Sequence, residues 1–177
     1  MGTWNSRGLR GSTLEDFINM TNEKYLANHL ALVQKIPTPI KPINIEQETR
    51  RITLAYFDQK STVDYIGVVQ GIPICFDAKE CATDTFPLQN IHPHQINFMK
   101  EFEKQDGISF IIIYFTERDE FYYLPFSDII KFWERAENGG RKSFTYDEID
   151  KSFQIHSAKG VLVHYLETIN KDLSNRS

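Results

Sequence analysis

The stretch Ser61–Glu80, STVDYIGVVQGIPICFDAKE, holds two short apolar runs, Val63–Val69 and Ile72–Ala78, on either side of Gln70-Gly71. Strand-forming runs separated by two turn residues predict a β-hairpin. Three charged residues, Asp64, Asp77 and Lys79, sit within this most strand-like part of the chain. Charges are rarely buried there unless paired or bound to a metal. Side chains alternate across a strand, so Asp77 and Lys79 share one face and Phe76 and Ala78 the other. Asp64 can be brought opposite Asp77 on the neighbouring strand, with Thr62 two residues earlier on the same side. Two carboxylates meeting at a point repel unless a cation lies between them, and hard oxygen ligands suit Mg2+ or Mn2+. By spacing alone the triplet equally fits two strand-end acids with Lys79 as their ion-pair partner, and both readings stand at this point.

Upstream, Ser12-Thr13-Leu14-Glu15 has the form of a capping box and opens a helix to about Asn28, with Leu14, Phe17, Ile18, Tyr25 and Leu26 at helical spacing. A strand near Ala31–Ile36 leads into three prolines within six residues, Pro37, Pro39 and Pro42. Proline cannot donate to a sheet ladder, so this segment should leave the main sheet. The period-two runs Ile43, Ile45 and Ile52, Leu54, Tyr56 then predict a protruding two-stranded arm tipped by Glu48, Arg50 and Arg51. Tyr56 and Phe57, at the arm's return, are expected to pack against each other, with stacking on an unpaired base as the alternative.

Downstream, a helix is expected near His94–Lys104, a doubly buried strand at Ile108–Phe115 and its hairpin partner at Glu120–Leu124. A helix at Ser127–Glu137, capped by Ser127, and a last one over about Gly160–Leu173 complete the order. It predicts a mixed α/β sheet with helices on both sides, in one domain of residues 1–177 with an insertion at about 36–60.

Composition narrows the class. The chain has 177 residues, 41% of them hydrophobic and 25% charged, which places it among globular proteins. No run approaches the roughly 18 to 20 apolar residues of a membrane span, and no apolar segment follows the N-terminal arginines as in a signal peptide. Cys75 and Cys81, without metal spacing, read as packed, reduced thiols of a cytoplasmic protein. The net charge of −4 argues mildly against a nucleic-acid partner. Its distribution softens this: residues 1–60 hold eight Lys/Arg against six Asp/Glu, so the N-terminal third is the part suited to phosphate.

Asp64 followed by Asp77-Ala78-Lys79 resembles the PD-(D/E)xK nuclease signature. The longer context resembles the RecU family of Holliday junction resolvases: RGLRGSTLEDFI, KIPTPIKPINI and the hairpin itself, then FPLQNIHPHQINFMKEFEKQDGISFIIIYF and YYLPFSDIIKFWERAENGGRKSFTYDEI, in collinear blocks from about Arg7 to Ile149. The resemblance implies a restriction-endonuclease-like mixed central sheet flanked by helices, with the arm as the family's β-hairpin stalk entering the open junction. It implies a homodimeric, Mg2+-dependent endonuclease (Mn2+ substituting) that nicks opposed strands of a four-way DNA junction, leaving 5′-phosphate and 3′-hydroxyl ends. Carried over by position, Thr62, Asp64, Asp77 and Gln95 would hold the metal, and Lys79 would stabilise the transition state.

The chain departs from the family in two ways. It begins almost at the shared motif, without the longer basic extension of cellular members, and a viral or prophage origin is compatible with that. Asp77 stands where Glu is common. Glu15 is either the capping-box partner of Ser12 or an additional acid presented by the first helix. His92 and His94 lack the further ligands of a zinc site and are expected to pack or touch phosphate. Arg7, Arg10, Lys41, Arg50, Arg51, Lys60, Arg141 and Lys142 are the candidate phosphate contacts. A RecA-type recombinase is an expected partner. Two other functions remain: a PD-(D/E)xK nuclease acting on flaps or duplex DNA, and a non-catalytic module binding junctions or a recombinase.

Overall fold

The computed structural model describes residues 13–58 and 62–176. Along the chain, α1 (Thr13–Ala27), β1 (Ala31–Lys35), β2 (Ile40–Glu46), β3 (Arg51–Phe57), β4 (Tyr65–Val69), β5 (Ile72–Cys81) and β6 (Thr85–Pro87) form the first half. They are followed by α2 (Pro93–Glu103), β7 (Ile108–Phe115), β8 (Glu120–Pro125), α3 (Phe126–Glu137), β9 (Ser143–Thr145), β10 (Gln154–Ile155) and α4 (Leu166–Arg176). The central sheet runs β1-β4-β5-β7-β8-β10, with β5 and β7 parallel and each of the other neighbouring pairs antiparallel. A parallel pair requires a crossover, and α2 lies within it.

β7 shows why the sheet is buried on both faces. Ile108, Phe110 and Ile112 enter one core with Leu14, Ile18 and Tyr25 of α1 and Ile169 of α4. Ile111, Ile113 and Phe115 enter the other, with Ile96 and Met99 of α2 and Phe126 and Ile129 of α3. β5 divides in the same way: Ile74, Phe76 and Ala78 face α1, and Cys75 and Cys81 face α2. Asp77 shares the parity of the cysteines and therefore points to the α2 side. Phe76 stacks between Tyr65 and Phe110, with ring centroids 4.7 Å from each. That aromatic column fixes which face of β5 is core.

The β4–β5 turn is Gln70-Gly71, with φ of 49° and 89° at the two residues, the left-handed pair that a tight two-residue hairpin demands. Gly67 meets a different constraint. A Cβ there would lie 2.3 Å from the Leu32 carbonyl oxygen and 2.7 Å from Val33 Cα, because β1, paired with β4 at Val33↔Gly67, runs close beside it. Gly67→Ala is therefore expected to force β1 away and lower stability by about 1–3 kcal/mol, read as a lower urea midpoint at unchanged slope.

The proline-led segment does leave the sheet. β2 and β3 pair only with each other, and the register shifts next to Pro42. All seven residues of β2 and six of seven in β3 are exposed, so the arm projects with neither face on the core. At about 3.3 Å per residue it reaches roughly 20 Å. Tyr56 and Phe57 do not pack together as expected. Adjacent residues on a strand point to opposite faces, and these two are 49% and 75% exposed.

Two helix starts differ from expectation. β8 runs into α3 without a loop, so Pro125 is the N-cap and Ser127 already lies inside the first turn. The last helix begins at Leu166 because Val161, Val163 and Tyr165 are buried in alternation, following a turn at Lys159-Gly160 with φ of 51° and 76°. The short β6–β9 pair and β10 were not anticipated. Among the described residues no helix is long and apolar enough to cross a membrane.

Candidate active site

β4 and β5 pair in the register Tyr65↔Phe76 and Ile66↔Cys75, which sets Asp64 across from Asp77. The Asp64 N–H donates to Asp77 Oδ1 at 2.9 Å, and the Ala78 N–H donates to Asp64 Oδ2 at 2.9 Å. Each carboxylate is thus aimed by the backbone of the other strand. The Ile36 N–H donates to the Asp64 carbonyl at 2.8 Å, so the root of the arm is tied to the same residue.

Asp77 is fully buried, and its Oδ2 takes two further donors: Lys79 Nζ at 2.7 Å and Gln95 Nε2 at 2.6 Å. Gln95 is the third residue of α2, where its Oε1 accepts the His92 N–H at 3.0 Å and closes the helix's capping box. One side chain therefore both caps α2 and grips Asp77. Cys75 lies beneath, its Sγ 3.2 Å from Ser109 Oγ, which donates to the Met99 carbonyl. His92 and His94 stack with ring centroids 5.4 Å apart, which fits packing better than ligation.

The pair is electrostatically loaded. Burial first, and then the Asp77 carboxylate, pushes the Asp64 carboxyl up to about 6. Asp64 therefore stabilises the metal-free fold fully only below the ordinary carboxylate range, and that contribution is lost as pH rises through about 6. Metal-free protein should lose up to about 3 kcal/mol between pH 4 and pH 7 through this group. Asp64→Asn should flatten the trend, as measured by urea unfolding in EDTA.

This excess of negative charge on hard oxygens fits a divalent cation. Among the described residues no three His, Cys, Asp or Glu side chains gather at one point. The remaining ligands would then be neutral oxygens, for which Thr62, half-buried two residues before Asp64, and Gln95, bonded to Asp77, are the candidates from sequence.

The other candidates are dispersed. Arg50 and Arg51 stand at the arm's tip, and Lys41 lies near its root, 3.9 Å from Asp58. Arg141 pairs with Glu148 at 2.9 Å, and Lys142 follows it between α3 and β9. Arg7, Arg10, Lys60 and the Ser12 cap lie outside the described residues. Glu15 is paired with Lys35 of β1. The Leu14 N–H at the start of α1 donates instead to Glu80 Oε1 at 2.8 Å. That contact bridges 66 positions and leaves no local signal in the sequence. It ties α1 to the strand that bears Asp77 and Lys79, with a carboxylate at the end of the helix that favours negative charge.

Two acids from adjacent strands thus meet, with a lysine two residues after the second, in the spacing of the PD-(D/E)xK nuclease signature. The family model described as "Recombination protein U" (RecU) matches residues 9–171. The protein named Holliday junction resolvase RecU of Limosilactobacillus reuteri is 43% identical over 173 residues, covering 95% of this chain and 85% of that one. That of Leuconostoc mesenteroides is 46% identical over 171 residues, with 94% and 83% covered. That of Bacillus pumilus is 48% identical over 144 residues, with 79% and 69% covered. A solved structure of Archaeoglobus fulgidus Hjc, a Holliday junction resolvase, aligns with a TM-score of 0.41 at 10% identity, covering 80% of this chain and 87% of that one. The chain belongs to the RecU family.

Proposed function

We propose that this protein is a divalent-metal-dependent endonuclease that resolves four-way DNA junctions by paired nicking. The observation that carries the reading is the convergence of Asp64, Asp77 and Lys79 on one buried point in a chain of the RecU family. Thr62, Asp64, Asp77 and Gln95 would hold Mg2+ or Mn2+. When bound, the ion activates water and neutralises charge on the phosphate. The chain's own part is orientation. Backbone donors from Asp64 and Ala78 fix both carboxylates, and Lys79 brings a positive charge to the phosphate side of the strand.

Cutting two opposed strands calls for two such sites, and a two-fold dimer matches the symmetry of a four-way junction. The exposed arm, with Arg50 and Arg51 at its tip, is the element that would enter the junction's open centre. Recognition by shape follows, since among the described residues no helix is basic enough to read the major groove. A cytoplasmic location is consistent with two free, buried cysteines, and a RecA-type recombinase is an expected partner.

The test is a substrate panel in Mg2+, comprising a mobile four-way junction, a flap and a plain duplex, with wild type and Asp77→Asn in parallel. Junction cleavage by wild type alone supports the proposal. Preference for flap or duplex would make the protein another kind of PD-(D/E)xK nuclease. Binding without cleavage in both Mg2+ and Mn2+ would make it a non-catalytic module.

A further inference from the structure

Both carboxylate oxygens of Asp77 accept hydrogen bonds in this geometry, and Oδ2 accepts two. Oδ1 accepts the Asp64 N–H at 2.9 Å, while Oδ2 accepts both Lys79 Nζ at 2.7 Å and Gln95 Nε2 at 2.6 Å. The orientation of the Gln95 carboxamide is fixed by its other end. The His92 N–H can only donate, so the atom facing it at 3.0 Å is the oxygen and the atom facing Asp77 is the nitrogen. The neutral side-chain oxygen that Gln95 could offer a cation thus faces away from the acids. The Lys79 ammonium is held on the carboxylate, with its side chain 18% exposed.

We propose that Lys79 and Gln95 form a latch on Asp77 Oδ2, and that a divalent cation taking up this oxygen displaces both: Lys79 is freed toward the substrate phosphate, and the Gln95 carboxamide turns its oxygen inward. The latch gives a fully buried carboxylate its partners, because an unpaired charge there would be strongly unfavourable. It also orders events. The lysine that stabilises the transition state is unavailable until the cation has arrived, so DNA bound before metal meets a site with its positive charge withheld. This inference rests on the metal assignment to Asp64 and Asp77.

Calcium, added without DNA, is the probe. In uniformly labelled protein the Gln95 side-chain amide and Lys79 ammonium resonances, assigned by their loss in Gln95→Leu and Lys79→Met, should both move during the titration. Their midpoint should match the one found by calorimetry. Heat of binding with both signals unmoved would overturn the latch and leave the metal assignment standing. An absence of heat with Ca2+, Mg2+ and Mn2+ would remove the metal assignment and the latch with it.

Melting gives an independent check. In EDTA, Lys79→Met should melt lower than wild type by on the order of 5 °C, because Asp77 loses its buried counter-charge. Saturating Ca2+ should close at least half of that gap, and a gap unchanged by Ca2+ would contradict displacement. Lys79→Gln, which keeps a donor but no charge, serves should the methionine variant not fold.

Discussion

Asp77→Asn is expected to reduce junction cleavage by at least about a thousandfold while leaving junction binding within a few-fold of wild type. The asparagine keeps an oxygen that can accept the Asp64 N–H, so the hairpin should retain its register. What it loses is the charge that a cation needs and that Lys79 faces. One negative charge fewer beside a phosphate favours the DNA complex, so a modest gain in affinity accompanies the loss of rate. Single-turnover cleavage and gel-shift titration of one labelled junction separate the two effects. Joint loss of binding and cleavage would mean that Asp77 supports the fold or the DNA contact instead of the ion.

The second large effect belongs to the arm. Replacing residues 40–57 with a short Gly-Ser link should leave thermal unfolding nearly unchanged, because none of the buried core side chains comes from β2 or β3. The preference for a four-way junction over duplex should fall by about tenfold or more, since the surviving surface meets phosphate without regard to branching. A milder variant gives a numerical check. If Arg50 and Arg51 each neutralise one phosphate, their joint replacement by alanine should flatten the dependence of log affinity on log salt by roughly 1.8 per protomer, about 3.6 for the dimer. A slope that does not change would place both guanidinium groups away from the backbone of the junction.

Much of the site was legible because it is local in sequence. A two-residue turn fixes which residues of the two strands face each other, so Asp64 opposite Asp77 follows from counting along the hairpin. The arm was legible for a negative reason: prolines cannot join a ladder, and the pairing of β2 with β3 alone bears that out. What escaped depends on distant parts of the chain. Glu80 at the start of α1 and β1 pressed onto Gly67 join elements whose closeness no periodicity announces. Pro125 as the α3 cap was missed because serine has the stronger prior at a helix start, and only the direct passage from β8 puts Ser127 inside the turn. Val161, Val163 and Tyr165 were absorbed into a helix because short apolar runs fit either period, and tertiary burial decides between them.

The two-residue turn at Gln70-Gly71 also bears on how such a chain can vary. One residue inserted between Asp64 and Asp77 would exchange the two sides of β5, driving the acid into the aromatic column and phenylalanine onto the α2 side where Asp77 now sits. Length polymorphism should therefore be tolerated at the arm's tip and forbidden in this interval. A library of single-codon insertions, scored for resolvase activity, should show a silent gap spanning the hairpin.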